Sequence, residues 1–266
     1  MIFAVNIDNT YITIGVFADN NDCELLHSLK VSTSIQKTSD EYAATIRNMF
    51  EYADISFSQF KGAIISSVVP QLTDTISQTI FKLTNITPIK VGPGVKTGFL
   101  IKIDSPSEMG ADLVANAAAA VSLNKLRKKT SQATIILDLG TATTIFAINK
   151  HGEYVGGCIF PGIKLSFDSL HIGTAQLPNV TMVLPEKAIG KNSQDSLRSG
   201  VVLGHIMTID GFISRIEREM TCAPGEANLF ATGDYSESIL NACAHKFEYE
   251  PSLTLKGLYY IYQKNK

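Results

Sequence analysis

A chain of 266 residues with 45% apolar composition has material for one large core or two moderate ones, and its formal net charge is −2. That balance excludes a general nucleic-acid binder, which gathers Lys and Arg on one face. No run approaches the roughly 18 to 20 unbroken apolar residues of a membrane span; Leu113 to Leu123 comes nearest and is interrupted by Asn116.

The opening MIFAVNID has neither a basic region nor a cleavage site, so it reads as a first strand and the cytoplasm is the expected location. It begins IFAVNIDNTYITIGVF, two apolar strands around a polar turn. Asp40 to Ala53 and Thr73 to Leu83 carry apolar residues at helical spacing, and GAIISSVV between them predicts a buried strand. Ser105-Pro106-Ser107-Glu108 combines an S-x-x-E capping box with proline at the first helical position, which predicts a helix from there to Leu123. The basic run Lys125 to Lys129 suits the solvated, negative end of that helix.

After the linking LRKKTSQ, the segment ATIILDLGTATTIFAI from Ala133 repeats the opening pattern of strand, polar turn and strand. Each turn holds an acidic residue, Asp8 or Asp138, with threonines just behind it. Two α/β domains follow, residues 1–130 and 131–266. Ser193 to Met220 is mostly helical, NLFATG is a strand and glycine turn, and SLTLKGLYYIYQKN is a closing helix whose tyrosines read as packing residues.

Phosphate sites need backbone N–H groups and small hydroxyls that approach oxygen closely, with a carboxylate to place a cation. DLGTATT, Asp138 to Thr144, holds all three: Gly140 for a tight turn, Thr141, Thr143 and Thr144 for hydroxyls, and Asp138 for charge. Taken alone it is equally readable as a β-hairpin whose threonines follow strand propensity; its repetition in both halves favours phosphate. Further glycine turns follow at Gly156-Gly157, Pro161-Gly162 and Ala231 to Asp234. Cys23, Cys158, Cys222 and Cys243 lie far apart, which argues against zinc and a disulfide framework, and the five histidines show no metal spacing.

DLGTATT, GGCIFPGIKLSFDSL, TAQLPNV, IGKNSQDSLRSG, ATGD and SLTLKGLYYIY, with SSVVP, VKTG and GAD earlier, resemble successive blocks of type III pantothenate kinases over nearly the whole chain. The resemblance implies a duplicated ribonuclease-H-like, actin-like fold with an interdomain cleft. It further implies a homodimer with its acceptor pocket near the subunit interface, and ATP-dependent phosphorylation of pantothenate in coenzyme A biosynthesis. Carried over residue by residue, it assigns Asn6, Ile7, Asp8, Asn9, Thr10, Tyr11, Ile12 and Thr13 to the first phosphate turn, with magnesium. Thr141 would touch ATP, and Asp138 would hold potassium or ammonium. Gly110, Ala111, Asp112 and Leu113 would lie against pantothenate with Asp112 as proton acceptor, joined by Ile103 and by Ser193, whose hydroxyl replaces a threonine's.

Four positions depart from the family pattern. The first turn, D-x-G-N-T in the family, is Asn6-Ile7-Asp8-Asn9-Thr10; GADR is Gly110-Ala111-Asp112-Leu113; and a tyrosine is Ile103. Asn6 lacks the formal charge that organises magnesium, yet residues 6 and 8 of an extended strand share a face, roughly 6 to 7 Å apart, so Asp8 can present the missing carboxylate. Leu113 cannot form the bidentate pair that arginine makes with a carboxylate. Three readings stay open on these residues: a pantothenate kinase, a kinase for another small hydroxyl compound, and a noncatalytic paralogue that binds nucleotide or a pantothenate-like ligand. Asp112, four residues after Glu108, also admits a plain reading as part of a solvated helix face.

Overall fold

The computed structural model describes residues 1–20, 22–234 and 236–266. In chain order the elements are β1 (Ile2–Ile7), β2 (Tyr11–Phe17), β3 (Leu25–Ser32), α1 (Ser39–Tyr52), β4 (Gly62–Ser67), α2 (Pro70–Thr84), β5 (Ile89–Lys90), β6 (Leu100–Ile101) and α3 (Ala111–Leu126). There follow β7 (Thr134–Leu139), β8 (Ala142–Ile148), β9 (Glu153–Pro161), α4 (Ile163–Gly173), α5 (Ser193–Arg198), α6 (Gly204–Glu219), β10 (Asn228–Gly233), α7 (Ser236–Leu240), β11 (Glu248–Tyr249) and α8 (Leu253–Asn265).

The strands form two sheets, ordered β3-β2-β1-β4-β5 and β11-β10-β7-β8-β9-β6. Read from β9 to β11, the second repeats the order of the first, and β6 is its addition. The pairing repeats as well: β1 and β7 each run antiparallel to the strand that follows and parallel to β4 or β10. The repeat seen in the sequence is thus a duplicated fold, as the ribonuclease-H-like resemblance implies.

Two compact units carry these sheets: residues 1–100, 104–127 and 252–266 in one, 101–103 and 128–251 in the other. The expected division at residue 130 therefore differs in one large element, because α8 closes the chain yet belongs to the first unit. Its apolar face explains this. In the first unit Phe3, Val5 and Ile7 point to a core shared with Tyr42, Ile46 and Phe50 of α1 and Leu72, Ile76 and Ile80 of α2. Ile2, Ala4 and Ile64 point to the other face, where Val114, Ala115 and Ala118 of α3 meet Leu255, Leu258 and Tyr259 of α8. Without α8 only α3 would cover that face. In the second unit Ile135, Leu137 and Leu139 pack with Ile206, Ile209 and Ile213 of α6.

The capping box at Ser105 does not form. Residues Pro106 to Glu108 make one 3-10 turn, Met109 is extended, and α3 begins afresh at Ala111 behind Gly110. Glu108 and Asp112 therefore share no helix. By contrast Thr38 and Glu41 cap α1 reciprocally, Thr38 N–H donating to the Glu41 carboxylate at 2.7 Å. The basic run after Leu126 is exposed, and Tyr259 and Tyr262 are buried.

Glycine 257 sets the approach of α8 to α3, because a Cβ there would overlap the backbone of Ala115. Gly257→Ala should lower stability by about 1 to 3 kcal/mol as an overpacked core. Gly211→Ala, at an exposed helical position with open space around it, should raise it by roughly 0.5 to 1 kcal/mol. Urea unfolding midpoints of the two variants check both signs.

Candidate active site

In the second unit the polar turn stands at the ends of three adjacent strands. Asp138, next to last in β7, pairs with Thr144 of β8 and with Thr232 of β10, so the three side chains form one row on one sheet face. Leu139 behind them is buried, and Asp138 is half-buried. The Thr144 hydroxyl is buried without a hydrogen-bond partner. An unsatisfied buried oxygen beside a carboxylate suits a cation or an ordered water.

Backbone approaches this row closely. A Cβ at Gly162 would overlap the carbonyls of Gly140 and Thr141, and Gly162 N–H donates to the Thr141 carbonyl at 3.1 Å. Gly233, at φ +105°, could not carry a side chain without striking Leu139. It leads to Asp234, whose N–H donates to the Leu139 carbonyl at 3.2 Å. Two glycine turns read separately in the sequence, at 140 and 233, thus lie side by side, with a third glycine at 162 closing over the first. Thr141 is exposed at their edge.

The first unit repeats the row with different chemistry. Asn6, next to last in β1, pairs with Thr13 of β2 and Ser66 of β4. By register Asn6 is the counterpart of Asp138, and Asp8 falls where the second turn has Gly140. The side-chain amide of Asn6 donates to Asp8 Oδ2 at 2.7 Å, while its oxygen accepts from Ser66 Oγ at 2.6 Å. The turn is held from behind, with Asp8 N–H donating to the Tyr11 carbonyl at 2.9 Å and Thr33 Oγ1 to the Asp8 carbonyl at 2.6 Å. Ile7 and Ile12 are core residues, whereas Asn9, Thr10 and Tyr11 are exposed.

Asp112 stands in the first turn of α3, where the helix dipole favours negative charge, and its Oδ1 accepts from Leu113 N–H at 2.8 Å. Burial outweighs that bond and holds its carboxyl above the usual carboxylate range. Gly110 makes room, since a Cβ there would come within 2.5 Å of the carboxylate. Ala111 and Leu113 are half-buried beside it. Of the residues expected on the acceptor side, two fall in the second unit: Ile103 lies next to Gly156 of β9, and Ser193 opens α5, exposed, behind the Asn192 cap.

Four contributors carried too little sequence signal to be singled out. Ser66 interrupts an apolar run but resembles any strand serine; Thr33 follows a strand; Thr232 sits in one. His205 is the fourth. Only 6% exposed, it bonds Thr143 Oγ1 through Nε2 at 2.9 Å and packs on Phe160.

Among solved structures, a Campylobacter jejuni protein described as a Baf family transcriptional activator matches over 99% of this chain and 98% of its own, with TM-score 0.60 and 18% identity. A Sinorhizobium meliloti protein described as a 2-dehydro-3-deoxygalactonokinase matches over 99% and 96%, with TM-score 0.55 and 9% identity. These neighbours and the repeated sheet define the class of fold: a duplicated ribonuclease-H-like, actin-like one. Within that class the chain belongs to the type III pantothenate kinase family, whose model matches residues 2–215. The type III pantothenate kinase of Halalkalibacterium halodurans is 38% identical over 265 residues, covering 100% of both chains.

Burial lowers the His205 imidazole from 6.5 to about 4, so it is neutral when folded. Between these values the unfolded chain binds a proton that the folded one does not. Its contribution to stability is therefore complete above pH 6.5 and is lost as the pH falls toward about 4. Melting temperatures across that window should decline with acid, and His205→Gln should flatten the decline.

Proposed function

We propose that this protein transfers the γ-phosphoryl group of ATP to pantothenate, giving 4'-phosphopantothenate for coenzyme A synthesis. Full-length membership of the type III pantothenate kinase family carries this reading. The two rows of polar side chains at strand-end turns, the second of them flanked by glycines, support it, because phosphate needs both close backbone and hydroxyls.

In this reading residues Asn6 to Thr13 receive phosphate oxygens and Thr141 touches ATP. Asp138, with the unsatisfied Thr144 hydroxyl at its side, holds potassium or ammonium. Magnesium, when bound with ATP, neutralises charge on the phosphates. Among the described residues no three His, Cys, Asp or Glu side chains gather as a metal cage, which fits a cation shared between one or two carboxylates and phosphate. Gly110 to Leu113, Ile103 and Ser193 meet pantothenate.

Asp112 is the base. As the acceptor oxygen bonds to the γ-phosphorus and the bond to the bridging oxygen of ADP breaks, the hydroxyl proton passes to the Asp112 carboxylate. A carboxyl raised by burial takes that proton more readily than an ordinary one. Leu113 gives the pantothenate carboxylate no charged partner, a loss of about 1.5 to 3 kcal/mol, so its KM should be roughly ten- to a hundredfold above that of an arginine-bearing site.

A coupled ADP-release assay with pantothenate, magnesium and potassium tests the reaction. Asp112→Asn should lower kcat by roughly a hundredfold while leaving ATP affinity unchanged. In the wild type, kcat should rise with pH through a value above the usual carboxylate range. Equal turnover by the variant would remove Asp112 as base, and binding of ATP and pantothenate without turnover would favour the noncatalytic paralogue.

The homodimer belongs to the same reading, in the cytoplasm. It is supported by apolar side chains left on the second unit, with Ile159 71% and Met207 65% exposed. In the same unit Val155, Phe212, Ile216 and Met220 line a groove together with Arg215 and Glu219. Light scattering should give about twice the 28.9 kDa of one chain, and a clean single-chain mass at micromolar concentration would count against the dimer.

A further inference from the structure

Resting on the kinase reading above, we propose that Asp8 is the carboxylate through which the first turn meets a nucleotide-bound divalent cation. Asn6 and Ser66 are the positioning residues that aim it. The two sheets supply the first argument. At equivalent registers, between a hydroxyl on each neighbouring strand, β7 carries a carboxylate at Asp138 and β1 an amide at Asn6. The amide cannot bring negative charge to a cation. The carboxylate of this turn stands instead at Asp8, where the other turn has Gly140.

The second argument is the direction of the hydrogen bonds. An ionised carboxylate only accepts, so the Asn6 group facing Asp8 Oδ2 at 2.7 Å is its NH2. The remaining oxygen then faces Ser66 Oγ at 2.6 Å, and the hydroxyl must donate. Asn6 is 4% exposed and Ser66 1%, so neither exchanges its partner for water at little cost. The Ser66 hydroxyl thereby fixes the amide, and the amide fixes the carboxylate. Asp8 itself is only half-buried, and its backbone is pinned by Tyr11 and Thr33. A hard oxygen donor held at the turn, not in the core, suits a cation that arrives on phosphate.

Coupling follows from the same distances. With Asp at position 6 and Asp8 retained, two carboxylates would meet across the present 2.7 Å contact, and one would be driven to bind a proton. Neither residue can be changed alone without loss.

The test is equilibrium binding, independent of turnover. ATP affinity is measured by calorimetry with Mn²⁺ and again with EDTA, and enzyme-bound Mn²⁺ is followed by electron paramagnetic resonance in the presence of ATP. Asp8→Asn should weaken binding in Mn²⁺ by about tenfold or more and leave binding in EDTA unchanged, the size of a lost charge-assisted contact. Asn6→Asp alone should also weaken it. The pair Asn6→Asp with Asp8→Gly should return it to within about threefold of wild type, a non-additive cycle. Ser66→Ala should give a smaller loss, again only with Mn²⁺.

Thermal melts confirm folding, and Asp8→Gly replaces Asp8→Asn if the latter melts below the assay temperature. Wild-type affinity for Mn²⁺ and ATP in the Asp8 variant, or strictly additive losses around the cycle, would overturn the proposal while leaving the kinase reading intact. Failure of the wild type to bind ATP in either condition would overturn both.

Discussion

The central strand of each sheet is buried on both faces, and that burial decides where polar chemistry can stand. Every residue of β1 is buried, and so is every residue of β7 except Asp138. A polar side chain in such a strand costs several kcal/mol unless it is bonded, so it survives only near the end and with a partner on the neighbouring strand. Asn6 and Asp138 occupy that position, each between a threonine and a second hydroxyl. The parallel partner matters as much as the turn: β4 and β10 end level with β1 and β7, so their next-to-last residues, Ser66 and Thr232, complete each row.

Close backbone is the second requirement of the same region. Gly162 and Gly233 do not simply permit a turn; each leaves out a side chain that would fill the space of a neighbouring carbonyl. The result around Asp138 is a surface made of main chain and small hydroxyls, which is what an oxygen-rich ligand needs and an apolar one does not. Asp112 shows the opposite strategy. It is drawn into low-dielectric surroundings at a helix start, so its proton affinity is raised by desolvation against the pull of the Leu113 amide.

Patterns set by a short stretch were legible in the sequence: both strand-turn-strand units, α1, α2, α6 and the closing helix, and the glycine turns. What depended on distant partners was not. The assignment of α8 to the first unit follows from the face of a sheet nearly the whole chain away, which α3 alone would otherwise cover. The S-x-x-E pattern at Ser105 is locally as good as the Thr38 pattern that does cap a helix, yet the chain restarts at Gly110, which fits Asp112 into a first turn. Ser66, Thr33 and His205 act through hydroxyl or imidazole contacts across 25 or more residues, beyond the reach of local periodicity. The altered residues at 6 and 8 were visible as substitutions, but their mutual hydrogen bond was not.

That bond changes how the four departures compare. Asn6 and Asp8 are one change rather than two, because the amide at the strand satisfies the carboxylate at the turn and a hydroxyl behind it holds the amide in place. The number of charges at the first turn is unchanged from a D-x-G turn; only the position of the charge has moved outward by two residues. Leu113 and Ile103 are of another kind. Each puts apolar surface where the family pattern has a polar or charged group, and a half-buried apolar side chain cannot donate or accept a hydrogen bond however it is oriented. A rearranged carboxylate can still meet a cation, whereas a missing guanidinium cannot be recovered by geometry. On the proposed assignment, the phosphate side is thus altered in arrangement, while the acceptor side is altered in what it can recognise.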